Sequence, residues 1–224
     1  MARRGWIRRP TVPSPALPPL RTVAAFLRWW IRDVAPITVR ATTAAAYSTV
    51  VQHRLIPALG EQTLRALTGE RIQRYLAGEL RAGRSLWTVR QTLRVLRIAL
   101  EHARGFGLVA ENVARQVPTP RVPPALVVPL SPAAVRSLLR KAAGRPVELA
   151  VVLGLSGLRA GEIRGLRWED LDLRRRLAQI RRTAQWAGNG LLIVPPKTAA
   201  SLRTIKLPLF AVRPLRCVPR RARR

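Results

Sequence analysis

Apolar residues return every three or four positions through most of the chain, the spacing of helices that bury one face. Residues 22–34 place Val23, Phe26, Leu27, Trp30 and Ile31 on one stripe, and a second helix is predicted over 42–54, stopping before Pro57 and Gly60. A third begins at Thr68, a good N-cap, and ends near Gly83. The fourth, capped by Ser85 and running to about Arg104, carries two stripes: Val89, Leu93, Leu96 and Leu100, and beside them Arg90, Arg94, Arg97 and Arg104. Further on, Ser131-Pro132 opens a helix that Gly144 closes, and residues 147–155 form a strongly apolar one. The period then changes. Residues 177–183, 191–194 and 202–207 alternate apolar with polar and are separated by Gly188-Asn189-Gly190 and by Pro195-Pro196-Lys197-Thr198, predicting a three-stranded antiparallel sheet. The fold class is mainly α with a small antiparallel β-sheet.

Prolines divide this pattern. Residues 1–21 hold five prolines and five arginines and read as a flexible basic arm, and five more prolines in 113–130 mark an extended, semi-rigid linker. The expected organisation is therefore the arm, a helical segment over 22–112, the linker, a second folded segment over 131–212, and a basic tail over 213–224.

Charge narrows the function. The 224 residues carry 41 Lys+Arg against 11 Asp+Glu, a formal +30, spread over every segment. Only Lys141, Lys197 and Lys206 are lysines, so the charge is almost all guanidinium, which grips phosphate in a planar fork and stays protonated. A polyanionic partner is the default reading, although arginine stripes on helices are often only solvated surface. Cys217 is alone, which excludes an internal disulfide and a Cys-based zinc site and suggests a reducing compartment. His53 and His102 are isolated in helices, a poor basis for metal binding. No apolar run approaches the roughly 20 residues of a membrane span, so a soluble protein with no membrane partner is expected.

Residues 156–172, with Arg159-Ala160-Gly161-Glu162 followed by Leu166-Arg167-Trp168-Glu169-Asp170-Leu171-Asp172, resemble the first catalytic block of the tyrosine recombinases, the family of phage integrases. The ordered set is wider and covers about residues 22–210. Four helices, a proline-containing linker, this block, and Pro196-Lys197-Thr198 ahead of Arg203-Thr204-Ile205 occur in the family's order. The resemblance implies a helical, SAM-like core-binding domain plus the N-terminal part of the catalytic domain, the two closing around double-stranded DNA. It also implies chemistry without metal, nucleotide or other cofactor. In that family a tyrosine hydroxyl attacks a phosphodiester, leaving a 3′-phosphotyrosyl link, and cations already in place stabilise the crowded phosphorane. By resemblance Arg159 is the first such clamp, Glu162 orients it, and Lys197 protonates the leaving 5′-oxygen, which a lysine can do and an arginine cannot. Trp168 reads as core packing.

The family's His-x-x-Arg block, its later His or Trp, and its nucleophilic tyrosine have no counterpart here. No histidine follows His102, and the only tyrosines are Tyr47 and Tyr75. A nucleophile is thus assigned to none of these residues, and the expectation is a C-terminally truncated member unable to cleave DNA alone. Residues 213–224 lack helical periodicity and suggest a frameshift near 213, which would leave apolar faces of the second half uncovered and that half marginally folded. The leading reading is an integrase-family DNA-binding protein of site-specific recombination, located in the bacterial cytoplasm with the nucleoid, with self-association or an intact relative on DNA as further partners. The alternatives are a non-enzymatic DNA-binding remnant or regulator and a basic RNA-associated protein.

Overall fold

The computed structural model describes residues 21–124, 126–187, 190–195 and 201–218. The chain divides into two compact units, Met1–Pro123 and Pro124–Arg224.

In the first unit α1 (Val23–Trp29) is capped by Thr22, whose hydroxyl accepts the Ala25 N–H at 3.1 Å. The predicted stripe is the buried one: Val23, Phe26, Leu27 and Trp30 are fully enclosed. Helices α5 (Gly69–Arg81) and α6 (Leu86–Gly105) start at the Thr68 and Ser85 caps, and Val89, Leu93, Leu96 and Leu100 of α6 line the same core.

The second predicted helix outlasts the position where Pro57 was expected to stop it, and the first runs on past Pro36 in the same way. The chain leaves α1 through a π turn (Trp30–Val34) into α2 (Ala35–Thr38), and leaves α3 (Ala41–Val50) through a second π turn (Val51–Leu55) into α4 (Ile56–Leu59). Pro36 and Pro57 each sit two residues beyond the end of a π turn. A proline in a regular helix loses one hydrogen bond and collides with the carbonyl four residues back. Here the residue before each proline bonds five residues back instead, Ala35 N–H to Trp30 O and Ile56 N–H to Val51 O, so the backbone is widened where the ring must fit.

Residues 113–117, read from sequence as the start of the linker, are part of this unit's core. Ala114 and Val117 are buried, and the Arg97 guanidinium donates to Ala114 O at 2.9 Å, to Val117 O and to Thr119 Oγ1 at 2.7 Å.

The second unit holds α7 (Pro132–Ala142), α8 (Glu148–Leu155), α9 (Ala160–Gly165), the short strands β1 (Leu171–Asp172), β2 (Leu177–Ile180), β3 (Thr183–Ala187), β4 (Gly190–Val194) and β5 (Arg203–Lys206), and α10 (Leu209–Cys217). The strands do not form the single expected sheet. An antiparallel sheet runs β1-β2-β5, with Leu177 opposite Lys206 and Ile180 opposite Arg203, while β3 and β4 form a separate hairpin with Thr183 opposite Val194. The run 177–183 is broken at Arg181-Arg182. Arg182 turns to Glu169 at 3.0 Å and to the buried Asp170 at 3.3 Å, which fixes the break.

The tail boundary at 213 falls inside α10. Ala211, Val212 and Leu215 of this helix are buried with Val152, Leu153, Leu158, Ala178, Ile180 and Leu207 in the second core. Arg213, Pro214 and Arg216 hid the pattern, because the buried face is carried by only three apolar residues between them.

Helix α9 is seated on β3 through two glycines. A Cβ at Gly165 would lie 3.0 Å from both Ala184 N and Thr183 Cα, and one at Gly161 would fall well inside contact distance of Thr183 Oγ1. Gly165→Ala is expected to cost about 1–3 kcal/mol, because backbone atoms cannot give way to the methyl group. Gly78→Ala, in the middle of α5 with open space around it, should stabilise by roughly 0.5–1 kcal/mol. Opposite shifts of the two urea midpoints relative to the parent check this.

Candidate active site

Helix α8 ends at Leu155, and Gly157, at φ +87°, reverses the chain so that Leu158 N–H reaches back to Leu153 O at 3.3 Å. This turn buries Leu158 and delivers Arg159 to the N-cap of α9 in an extended conformation. An arginine side chain has no acceptor to cap a helix. The cap is made from the other side: Glu162, one turn on, accepts the Arg159 backbone N–H on Oε2 at 2.9 Å and Arg159 Nη1 on Oε1 at 3.0 Å.

A second guanidinium comes from β5. Arg203 forks onto the same carboxylate, Nη1 to Oε1 and Nη2 to Oε2, both at 2.9 Å. Each oxygen of Glu162 thus accepts two hydrogen bonds, which fills its lone pairs. Hydrogen bonding from Arg203 first, and then from Arg159, holds the Glu162 carboxyl far below the usual range, at about 2, against the opposing effect of burial.

The exposures differ in a way that matters. The Glu162 side chain is 5% exposed, Arg203 30% and Arg159 74%. One carboxylate therefore anchors two cations, and the net positive charge is presented outward by Arg159, whose other N–H groups have no partner among the described residues.

The structure brings Arg159 and Glu162 together and adds Arg203, to which the sequence analysis gave no role. Its signal is on the strand: Arg203 and Ile205 are half-buried while Leu202, Thr204 and Lys206 are exposed, and an arginine on the buried face of a strand calls for a carboxylate. Lys197 lies outside the described residues. Trp168 packs against the second core.

The four arginines of α6 separate into two kinds. Arg90 and Arg94 are exposed and make no hydrogen bond or ion pair among the described residues. Arg97 is turned inward to hold residues 114–119, and Arg104 pairs with Glu101. The tyrosines are both engaged in the first unit. Tyr47 stacks on Trp30 with ring centroids 5.6 Å apart, and the Tyr75 hydroxyl donates to Arg54 O at 3.2 Å, where burial pushes its pKa up to about 12. His102 Nδ1 accepts the Trp30 indole N–H at 2.8 Å, and His53 is exposed. Among the described residues no three His, Cys, Asp or Glu side chains are grouped to hold a metal, and no helix is long and apolar enough to cross a membrane.

The same architecture occurs in solved tyrosine recombinases. The Tn1549 transposon integrase in complex with a circular intermediate DNA superposes with a TM-score of 0.71 at 22% identity, covering 89% of this chain and 66% of that one. A lambda integrase dimer bound to a COC′ core site gives 0.61 at 17% identity, covering 83% and 66%. The fold is that of the tyrosine recombinase integrases.

Sequence relatives agree. An integrase of Saccharopolyspora erythraea is 29% identical over 167 residues, and the prophage integrase IntR of Escherichia coli K12 is 30% identical over 128. The chain is similar in sequence to these two integrases over part of its length. The aligned regions cover 73% and 56% of this chain but only 38% and 30% of those relatives. No family model matches the chain.

Proposed function

We propose that this chain is a DNA-binding segment of a site-specific recombination protein, carrying part of a phosphodiester-cleaving centre. The observation that carries this reading is the Glu162 carboxylate, saturated by two guanidiniums and buried beneath an outward-facing Arg159. A phosphorane gathers negative charge on its non-bridging oxygens, and a cation fixed beforehand stabilises it without reorganising. Arg159 is the clamp, Glu162 and Arg203 are positioning residues, and Lys197, by resemblance, is the acid for the leaving 5′-oxygen. The proposed partner is double-stranded DNA, gripped through exposed guanidinium groups that include Arg90 and Arg94. The integrase relatives solved as dimers on DNA support self-association as a further proposal.

The two tyrosines of these 224 residues, Tyr47 and Tyr75, both belong to the first unit and are held there by packing and a hydrogen bond, and the second unit, which carries the centre, contains none. This polypeptide is therefore expected to bind duplex DNA with affinity falling steeply as salt rises, and to form no covalent adduct with nicked duplex. Replacing Arg90 and Arg94 by alanine should lower the slope of log K against log salt by about 2, close to 0.9 per lost phosphate contact. Binding indifferent to salt would overturn the reading, a preference for RNA would favour the alternative partner, and an adduct on denaturing gels would refute the missing nucleophile.

A further inference from the structure

An aromatic side chain on the surface of the first unit is left without a role by the site described above. Trp87, the second residue of α6, is 63% exposed and enters no hydrogen bond and no ring contact among the described residues. The turn that carries it is fixed on two sides. Ser85 accepts the Thr88 N–H at 3.2 Å and donates to Thr88 Oγ1 at 2.9 Å, while Val89, Leu93 and Leu96 bury the opposite face of the helix in the core. Trp87 is thus held out in water by a rigid backbone, where most of its apolar area contributes nothing to the fold.

Trp87, Arg90 and Arg94 fall at i, i+3 and i+7, with the half-buried Gln91 between them, and so share one face about 10 Å long. Arg90 and Arg94 are unpaired among the described residues, and no acidic residue occurs from Ser85 to Leu100, so this face complements a polyanion. Its shape selects the groove. A helix with its side chains is about 10–12 Å across, which the major groove of B-DNA, about 12 Å wide, admits and the minor groove, about 6 Å wide, does not. The ring then selects the base. An indole offers an apolar surface and one donor but no acceptor. In the major groove thymine alone sets an acceptor, O4, beside an apolar methyl group.

We propose that Trp87 is a sequence-reading residue of the DNA-binding face: the N-terminal half of α6 lies in the major groove, Trp87 meets the methyl group and O4 of a thymine, and Arg90 and Arg94 hold it there through the flanking phosphates. The assignment rests on the duplex-binding function proposed above and adds to it a preference among sequences, which phosphate contacts alone do not give.

The test uses the full chain and a pool of randomised DNA duplexes. The parent should enrich duplexes that share a thymine position, and putting deoxyuridine there, which removes only the methyl group, should weaken the parent roughly fourfold. Trp87→Ala should lose the enrichment at that position and bind the selected duplex roughly tenfold more weakly, with the slope of log K against log salt unchanged. The side chain is exposed, so the fold should survive; circular dichroism verifies that. Trp87→Phe, which keeps an apolar ring and lacks the donor, should retain the response to deoxyuridine and fall between the two in affinity. A Trp87→Ala variant that enriches the same sequences as the parent overturns the reading role. So does a slope that falls with the affinity, because Trp87 would then only support the arginines. Salt-dependent binding by a parent that enriches no sequence overturns base reading and leaves the duplex-binding function standing. A parent without salt-dependent binding overturns that function, and the role of Trp87 with it.

Discussion

Glu162→Ala is expected to destabilise the second unit by roughly 3–5 kcal/mol, the usual penalty for breaking a buried ion pair from one side. The loss is large because Arg203 is left partly buried with neither of its two 2.9 Å bonds, and the Arg159 backbone N–H loses its cap in the same step. Glu162→Gln keeps an acceptor oxygen and should fall between alanine and the parent. Hydrogen exchange resolved to residues 159–206 reads the effect, and protection unchanged in Glu162→Ala would show that the carboxylate supports nothing. The same group predicts an acid response. Its carboxyl titrates near 2 in the fold and at about 4.3 in an unfolded chain. The unfolded state therefore binds the proton more readily, and the stabilisation is complete above about pH 5 and lost as pH falls towards 2. Its size is roughly 3 kcal/mol, and Glu162→Gln should flatten that part of the pH profile.

Trp30→Ala should cost a similar amount, about 3–5 kcal/mol, in the first unit. The indole is fully buried, stacked on Tyr47 at an interplanar angle of 17° and hydrogen-bonded to His102. Trp30→Phe fills most of the volume but leaves His102 Nδ1 without its donor, and should cost roughly 1–3 kcal/mol. Urea unfolding of the two variants, with exchange followed in residues 22–117, separates packing from hydrogen bonding. Equal losses would mean that the His102 bond carries the whole effect.

Where the sequence spoke through local rules it was legible. Thr68, Ser85 and Ser131 cap the helices they were expected to cap, and the apolar stripes of α1 and α6 are the buried ones. The failures share a physical cause, the dependence of a residue's role on partners far away in the chain. Pro57 was expected to end a helix, yet a one-residue widening of the turn before it lets the helix pass, as also happens before Pro36. Arg97 has the same helical phase as Arg90 and Arg94 and differs only because residues 114–119 come within its reach. Arg203 is 41 positions from Glu162, and its importance is invisible until β5 lies beside α9. The split of the strands into a sheet and a hairpin depends in the same way on Arg182 finding Glu169 and Asp170.

The seating of Gly165 on the main chain of β3, with Gly161 against the buried Thr183 hydroxyl, bears on how such a protein drifts over generations. An arm that rests on peptide atoms keeps its aim whatever the strand's outward side chains become, so positions such as Trp186, 62% exposed, are open to exchange while the two glycines are not. A lineage can thus rewrite the visible surface of the hairpin without re-aiming its guanidinium.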